Sequence, residues 1–163
     1  MKNITRSLAA LAILILVGCG SQGESTQDGK TSPATETQKE ERVFTEKPSE
    51  TVDMVSKGIG PIQNLELPAE IDAELAAKGE EIFKSKCMAC HRTDKKFVGP
   101  APAGIMERRT PEWIMNMILN PEQMTKEDPL AKALMSEFHG SPMANQGLTE
   151  EDARQVLEYF RTL

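Results

Sequence analysis

In KSKCMACHRTDKKFVGP, Lys84 to Pro100, two cysteines and a histidine fall within five consecutive residues: Cys87, Cys90 and His91. Thiols at this spacing support three chemistries. A redox-active dithiol cycles the pair through a disulfide and is expected near a βαβ pattern. A zinc site takes thiolates and imidazole as ligands, but requires two further donors at typical spacing. The C-x-x-C-H pattern is also the attachment site of a c-type haem. Two intervening residues let both sulfurs reach one edge of a porphyrin, and the next residue turns its imidazole under the iron. His91 directly follows Cys90, which crowds a tetrahedral centre, and the only other histidine is His139. Covalent haem is the reading these residues favour.

The elements that must position this group are helical. Asp72 caps a first helix running toward Cys87, with Leu75, Gly79, Ile82 and Phe83 on one face. Thr110-Pro111 opens a second, nearly apolar helix carrying Trp113, Ile114, Met117 and Ile118, which stops before Pro121. Asp128-Pro129 opens a third, with Leu130, Ala133, Leu134 and Phe138, closed by Gly140. Thr149 and the acids after it open a fourth, burying Ala153, Val156, Leu157 and Phe160. No segment alternates with period two over a useful length, so the class is all-α. Long connections run over 91–109 and 140–148.

The N-terminal half is of another kind. Lys2 and Arg6 precede a ten-residue apolar run, Leu8 to Val17, too short to span a bilayer, which needs about 20 residues, so 1–18 reads as a signal peptide. Leu16-Val17-Gly18-Cys19 resembles the lipobox of bacterial lipoproteins, which implies lipidation of Cys19 and a membrane anchor. That leaves Cys87 and Cys90 as the only remaining thiols among the three cysteines. Residues 19–50 are rich in Ser, Thr, Gln, Glu and Gly and read as a flexible tether. Residues 51–69 are more apolar but broken by glycine and proline, and read as an arm or continued linker before a domain at 70–163. The chain has 163 residues and a net charge of −6, with mixed signs, which excludes an electrostatic footprint for nucleic acid.

With these motifs in place, residues 69–163 resemble a small bacterial class I cytochrome c. The resemblance implies about four helices around one covalently bound haem c. It implies that Gly79 and Phe83 of the first helix cross Val156 and Tyr159 of the last. It also implies that the carbonyl of Pro100 accepts the proton on the far nitrogen of His91, and that a methionine sulfur from the loop before the last helix is the sixth iron ligand. Met143 stands at that place, in HGSPMANQGLTEED, where this chain has Pro-Met in place of the family's frequent Met-Pro. His139 is the competing ligand, and an open iron is the third possibility. Met106, Met115, Met117, Met124 and Met135 read as core fillers. Trp113 is expected to donate its indole N–H to a haem propionate or to pack against the ring. Arg108 and Arg109 pair with propionates or are solvated. Lys95, Lys96 and Lys126 form a docking patch or ordinary surface charge.

The function implied is one-electron transfer, without enzymatic activity, by an exported, lipid-anchored protein at the periplasm or outer face of the cytoplasmic membrane. The expected partners are a respiratory donor complex and a terminal oxidase or reductase. From Glu70 to Leu163 there are 12 Lys and Arg against 16 Asp and Glu, so a lysine-ringed docking face is not evident. The alternative function is a gas-binding sensor or peroxidase-like enzyme with a displaceable Met143.

Overall fold

The computed structural model describes residues 44–163, so the expected signal peptide 1–18, the Cys19 anchor and the tether as far as residue 43 lie outside the described residues. Helices begin where local caps dictate. Asp72 accepts the N–H groups of Glu74 and Leu75 and opens α1 (Ala73–Ile82), which continues as a single π turn, Phe83–Cys87. Thr110 Oγ1 accepts from the Trp113 N–H to open α2 (Pro111–Leu119). Pro121 ends α2 as the sequence predicts, but it also begins a short further helix, α3 (Pro121–Glu127), making five helices rather than about four. A proline has no N–H to lose at a first helical position, and burial of Pro121 and Met124 holds the extra turns in place. Asp128 caps α4 (Pro129–Glu137), and a reciprocal Thr149–Asp152 capping box opens α5 (Glu150–Phe160). Among the described residues the only β-type pairing is one isolated bridge, Asp53 with Arg109.

The core forms where α1 crosses α5. A Cβ on Gly79 would stand 2.0 Å from the Gln155 carbonyl oxygen and 2.4 Å from its carbon, so the absent side chain is what allows the contact. The crossing is flanked by Phe83, whose ring meets Tyr159 at 5.6 Å and Phe160 at 5.8 Å between centroids. A charged cluster closes the same crossing. Glu158 is fully buried and accepts the Asp72 N–H at 2.7 Å, Arg161 at 2.7 Å, and Arg154. Burial opposes ionisation of Glu158, but these donors outweigh it and hold the carboxyl below its usual range.

Residues 51–69 pack against the helices. Asn116, fully buried on α2, donates to the carbonyls of Lys57 and Ile62, each at 2.8 Å, and accepts the Ile62 N–H at 2.9 Å. Glu112 accepts the Leu65 N–H at 3.2 Å. Arg161 donates to the carbonyls of Pro68 and Ala69. α2 is thus buried nearly all round because the arm covers the side away from the other helices, and its two polar buried residues satisfy the arm's backbone. Contacts reach further back, into the stretch that composition assigns to the tether. Ser49 donates its N–H and Oγ–H to Glu137 at 2.8 and 2.7 Å, and Arg109 donates to the Pro48 carbonyl at 2.6 Å. Composition misses these contacts because one half-buried carboxylate and one buried guanidinium supply the partners that a polar segment lacks by itself.

Two tests follow from the crossing. Gly79→Ala should force α1 and α5 apart and cost about 3 kcal/mol of unfolding free energy in a denaturant titration. A surface alanine such as Ala77, which is exposed, should tolerate substitution within about 0.5 kcal/mol. The depressed pKa of Glu158 contributes stability that is present above its unfolded value, about 4.3, and is lost as pH falls through the folded value. Glu112, Glu137 and Asp152 are depressed likewise. Glu158→Gln should therefore lower stability by about 3 kcal/mol at neutral pH and by much less at the acid end, narrowing the gap to wild type in unfolding curves run from pH 7 downward.

Candidate haem site

The site begins at the end of α1. The π turn carries Cys87 outward from the α1–α5 crossing, with Met88 N–H closing on the Phe83 carbonyl at 3.1 Å. Two short bonds, Cys90 N–H and His91 N–H to the Cys87 carbonyl at 3.0 and 2.9 Å, then bring all three residues onto one tight turn. Cys87 is half-buried and Cys90 exposed. Burial, and after it the neighbouring Cys90, push the Cys87 thiol up to about 11. A redox-active dithiol is expected near a βαβ pattern, and the described residues form helices with no strand, so that alternative lacks its context. Zinc fares no better: among the described residues no cluster of three or more His, Cys, Asp or Glu is placed to hold a metal ion.

His91 is oriented by the loop that follows it. Its Nδ1 lies 2.8 Å from the Pro100 carbonyl, which can only accept, so Nδ1 carries the proton and Nε2 keeps its lone pair for other use. Gly99 makes room for this. A Cβ there would lie 2.5 Å from His91 Cε1, and the Gly99 N–H is tied back to the Cys90 carbonyl at 2.9 Å. The ring is therefore packed against backbone on one side and held at its far nitrogen.

Cys87, Cys90, His91 and Pro100 border a cavity whose other walls are Phe83, Ile114, Leu134, Val156 and Phe160. Met143 borders the same cavity from the 140–148 loop, together with Pro142 and Leu148. His139 does not. It is exposed just beyond α4, where it and Gly140 take left-handed backbone, φ 58° and 75°, as the chain turns off the helix. It ends the helix at the surface.

Trp113 also borders the cavity, but its indole N–H donates to the Asp128 carboxylate at 3.2 Å. That bond joins α2 to the cap of α4 and occupies the N–H in this structure, while the ring stands at the cavity wall, where it could pack against a haem. Asp128 was legible in the sequence only as a cap; its second task depends on a contact 15 residues away. Arg108 and Arg109 both reach the cavity wall, Arg109 fully enclosed and Arg108 donating to the Ala103 carbonyl at 3.0 Å. Lys95, Lys96 and Lys126 are all exposed, and Lys96 lies 3.6 Å from Glu137 and over the Phe138 ring. They do not form one patch by any contact they make. Ser49, at the end of the tether, is a cavity residue that no sequence signal marks.

Two thiols on one turn, an imidazole with Nε2 left over and a thioether sulfur, set around an apolar cavity, are a donor set that fits a covalently attached haem. Comparison with known proteins agrees. Residues 76–163, more than half of the chain, match the family Cytochrome c. Cytochrome c-551 of Ectopseudomonas mendocina is 34% identical over 92 residues, covering 53% of this chain and 99% of that protein. Cytochrome c2 of Rhodopseudomonas palustris is 62% identical over 34 residues, 21% of this chain, so the match spans only 29% of that relative's length. Among solved structures, a cytochrome c from Rhodothermus marinus superimposes with a TM-score of 0.61 at 45% identity, covering 63% of this chain and 88% of that one. The chain belongs to the cytochrome c family and binds one haem c covalently.

Proposed function

We propose that this protein is a one-electron carrier in which Cys87 and Cys90 form the two thioethers and His91 and Met143 are the axial ligands. The observation that carries the reading is the convergence of these four side chains on one apolar cavity from two separate parts of the chain. When bound, the haem iron supplies reversible one-electron chemistry, at a potential raised by His/Met ligation relative to stronger donor pairs. Everything else is work of the polypeptide. Pro100 fixes the tautomer and direction of His91 through Nδ1, leaving Nε2 to face the cavity. Phe83, Ile114, Val156 and Phe160 exclude water from its interior. The 140–148 loop presents Met143 free of helical side-chain direction, while Asn145 ties the loop to the Leu119 carbonyl at 3.4 Å. With both axial positions filled, no place remains for a substrate, which supports a carrier rather than an enzyme.

The cellular reading rests on sequence. A signal peptide at 1–18, lipidation of Cys19 and a tether leading to the arm at 51–69 would hold the 70–163 domain at the outer face of a bacterial membrane. There it would exchange electrons with membrane-associated respiratory partners, a donor complex on one side and a terminal oxidase or reductase on the other. Such encounters are small and short-lived.

Visible spectra test the ligand assignment. Oxidised wild type should show the weak far-red band of sulfur bound to ferric iron, and Met143→Ala should lose it and gain CO binding in the reduced state. Absence of the band from wild type, with rapid CO binding, would instead favour the sensor reading. Gly99→Ala should displace the His91 ring and weaken its bond to Pro100. The expected outcome is a higher reduction potential in voltammetry, because a less strongly hydrogen-bonded imidazole is a poorer donor to ferric iron.

A further inference from the structure

The end of the tether and the start of the arm are held at the cavity by side chains that helix packing does not require. Residues 47–51 form a compact turn, with the N–H groups of Glu50 and Thr51 on the Lys47 carbonyl at 2.8 and 3.0 Å. Two charged groups clasp it. Arg109, 2% exposed, donates to the carbonyls of Pro48 at 2.6 Å, Arg108 at 2.7 Å, and Thr51, while its guanidinium lies 5.3 Å from the centre of the Trp113 ring. Next to it the Asp53 N–H donates to the Arg108 carbonyl at 2.9 Å. From α4, Glu137 accepts both the N–H and the hydroxyl of Ser49. Ser49, Arg108 and Arg109 all border the cavity that His91 and Met143 border.

Asp53 and Asp128 favour the charge of this buried guanidinium, and its hydrogen bonds to the carbonyls of Pro48 and Thr51 tie that charge to the position of the turn. We infer that Pro48–Asp53 is a strap closing one side of the haem cavity, positioned by Arg109 and Glu137, and that its docking sets the reduction potential. The inference rests on the electron-transfer reading above. A docked strap keeps water from the cavity; an undocked one admits water, which stabilises the more highly charged oxidised state and lowers the potential. Arg109 and Glu137 are positioning residues in this scheme. The strap spans the end of the tether and the start of the arm, where displacement of the chain ahead of it would act first.

Charge and strap position predict opposite results at Glu137, which makes the test decisive. Full-length, haem-loaded wild type, Ser49→Ala and Glu137→Gln are compared by voltammetry and by amide hydrogen exchange over 47–53. Removing a negative charge near the site by itself raises the potential; releasing the strap lowers it. The expected result is a lower potential for Glu137→Gln, with about tenfold faster exchange of the Thr51 and Asp53 amides. Ser49→Ala, which changes no charge, should shift both quantities in the same directions by less. A raised or unchanged potential in Glu137→Gln would overturn the proposal, whether or not exchange accelerates. The far-red sulfur band is recorded on the same samples. Its loss in wild type would count against Met143 ligation, while its retention with no potential shift would count against the strap alone.

Discussion

The contact between Gly79 and the Gln155 backbone is the constraint from which the rest of the domain is built. With no side chain at residue 79, α1 lies against α5 at a distance that any Cβ would forbid. Phe83, one turn further on, is thereby driven between Tyr159 and Phe160, and the chain leaves the helix through a π turn that delivers Cys87 to the cavity edge. Phe83, Val156 and Phe160 are both the packing of this crossing and the wall of the cavity. The turn that carries Cys87, Cys90 and His91 is accordingly positioned by the α1–α5 crossing itself.

Polar groups do the complementary work. Several buried ionisable and amide side chains hold segments that apolar packing leaves unplaced. Glu158 fixes the approach to α1 through the Asp72 N–H, and Asn116 fixes the arm through three bonds to residues 57 and 62. Asp128 joins the cap of α4 to the indole of Trp113. Such groups carry a desolvation cost that is recovered only when every donor and acceptor is matched. No buried side-chain nitrogen or oxygen among the described residues lacks a partner. A chain poor in aromatics thus obtains a defined cavity by specifying its walls with hydrogen bonds as well as by filling space.

The 140–148 loop is built differently. Its tie to α2 is one long amide bond from Asn145, and the remaining side-chain bonds of Asn145 and Gln146 are internal to the loop. Met143 is therefore carried by the most loosely held wall of the cavity, opposite in character to the attachment turn. If its sulfur is bound to iron, that bond is itself a main restraint on the loop, whereas His91 is fixed by Pro100 and Gly99 before any iron is considered.

Four of the helix starts were legible in the sequence, as was the grouping of Cys87, Cys90 and His91 on one turn, because each depends on residues within a few positions of one another. Asp72, Thr110, Asp128 and Thr149 cap through side chains two or three residues from their partners, and Cys87, Cys90 and His91 share one turn. The second role of Pro121 was missed because a residue that stops one helix can start the next, and local pattern does not say which. The arm's path, the diversion of the Trp113 N–H to Asp128 and the reach of Ser49 and Arg109 into the cavity were decided by tertiary structure alone. The Ser49–Glu137 bond joins residues 88 positions apart, and the Asn116–Ile62 bonds span 54. Whether such polar groups meet depends on how the helices have already packed, and a linear pattern of apolar and polar residues carries no record of that distance.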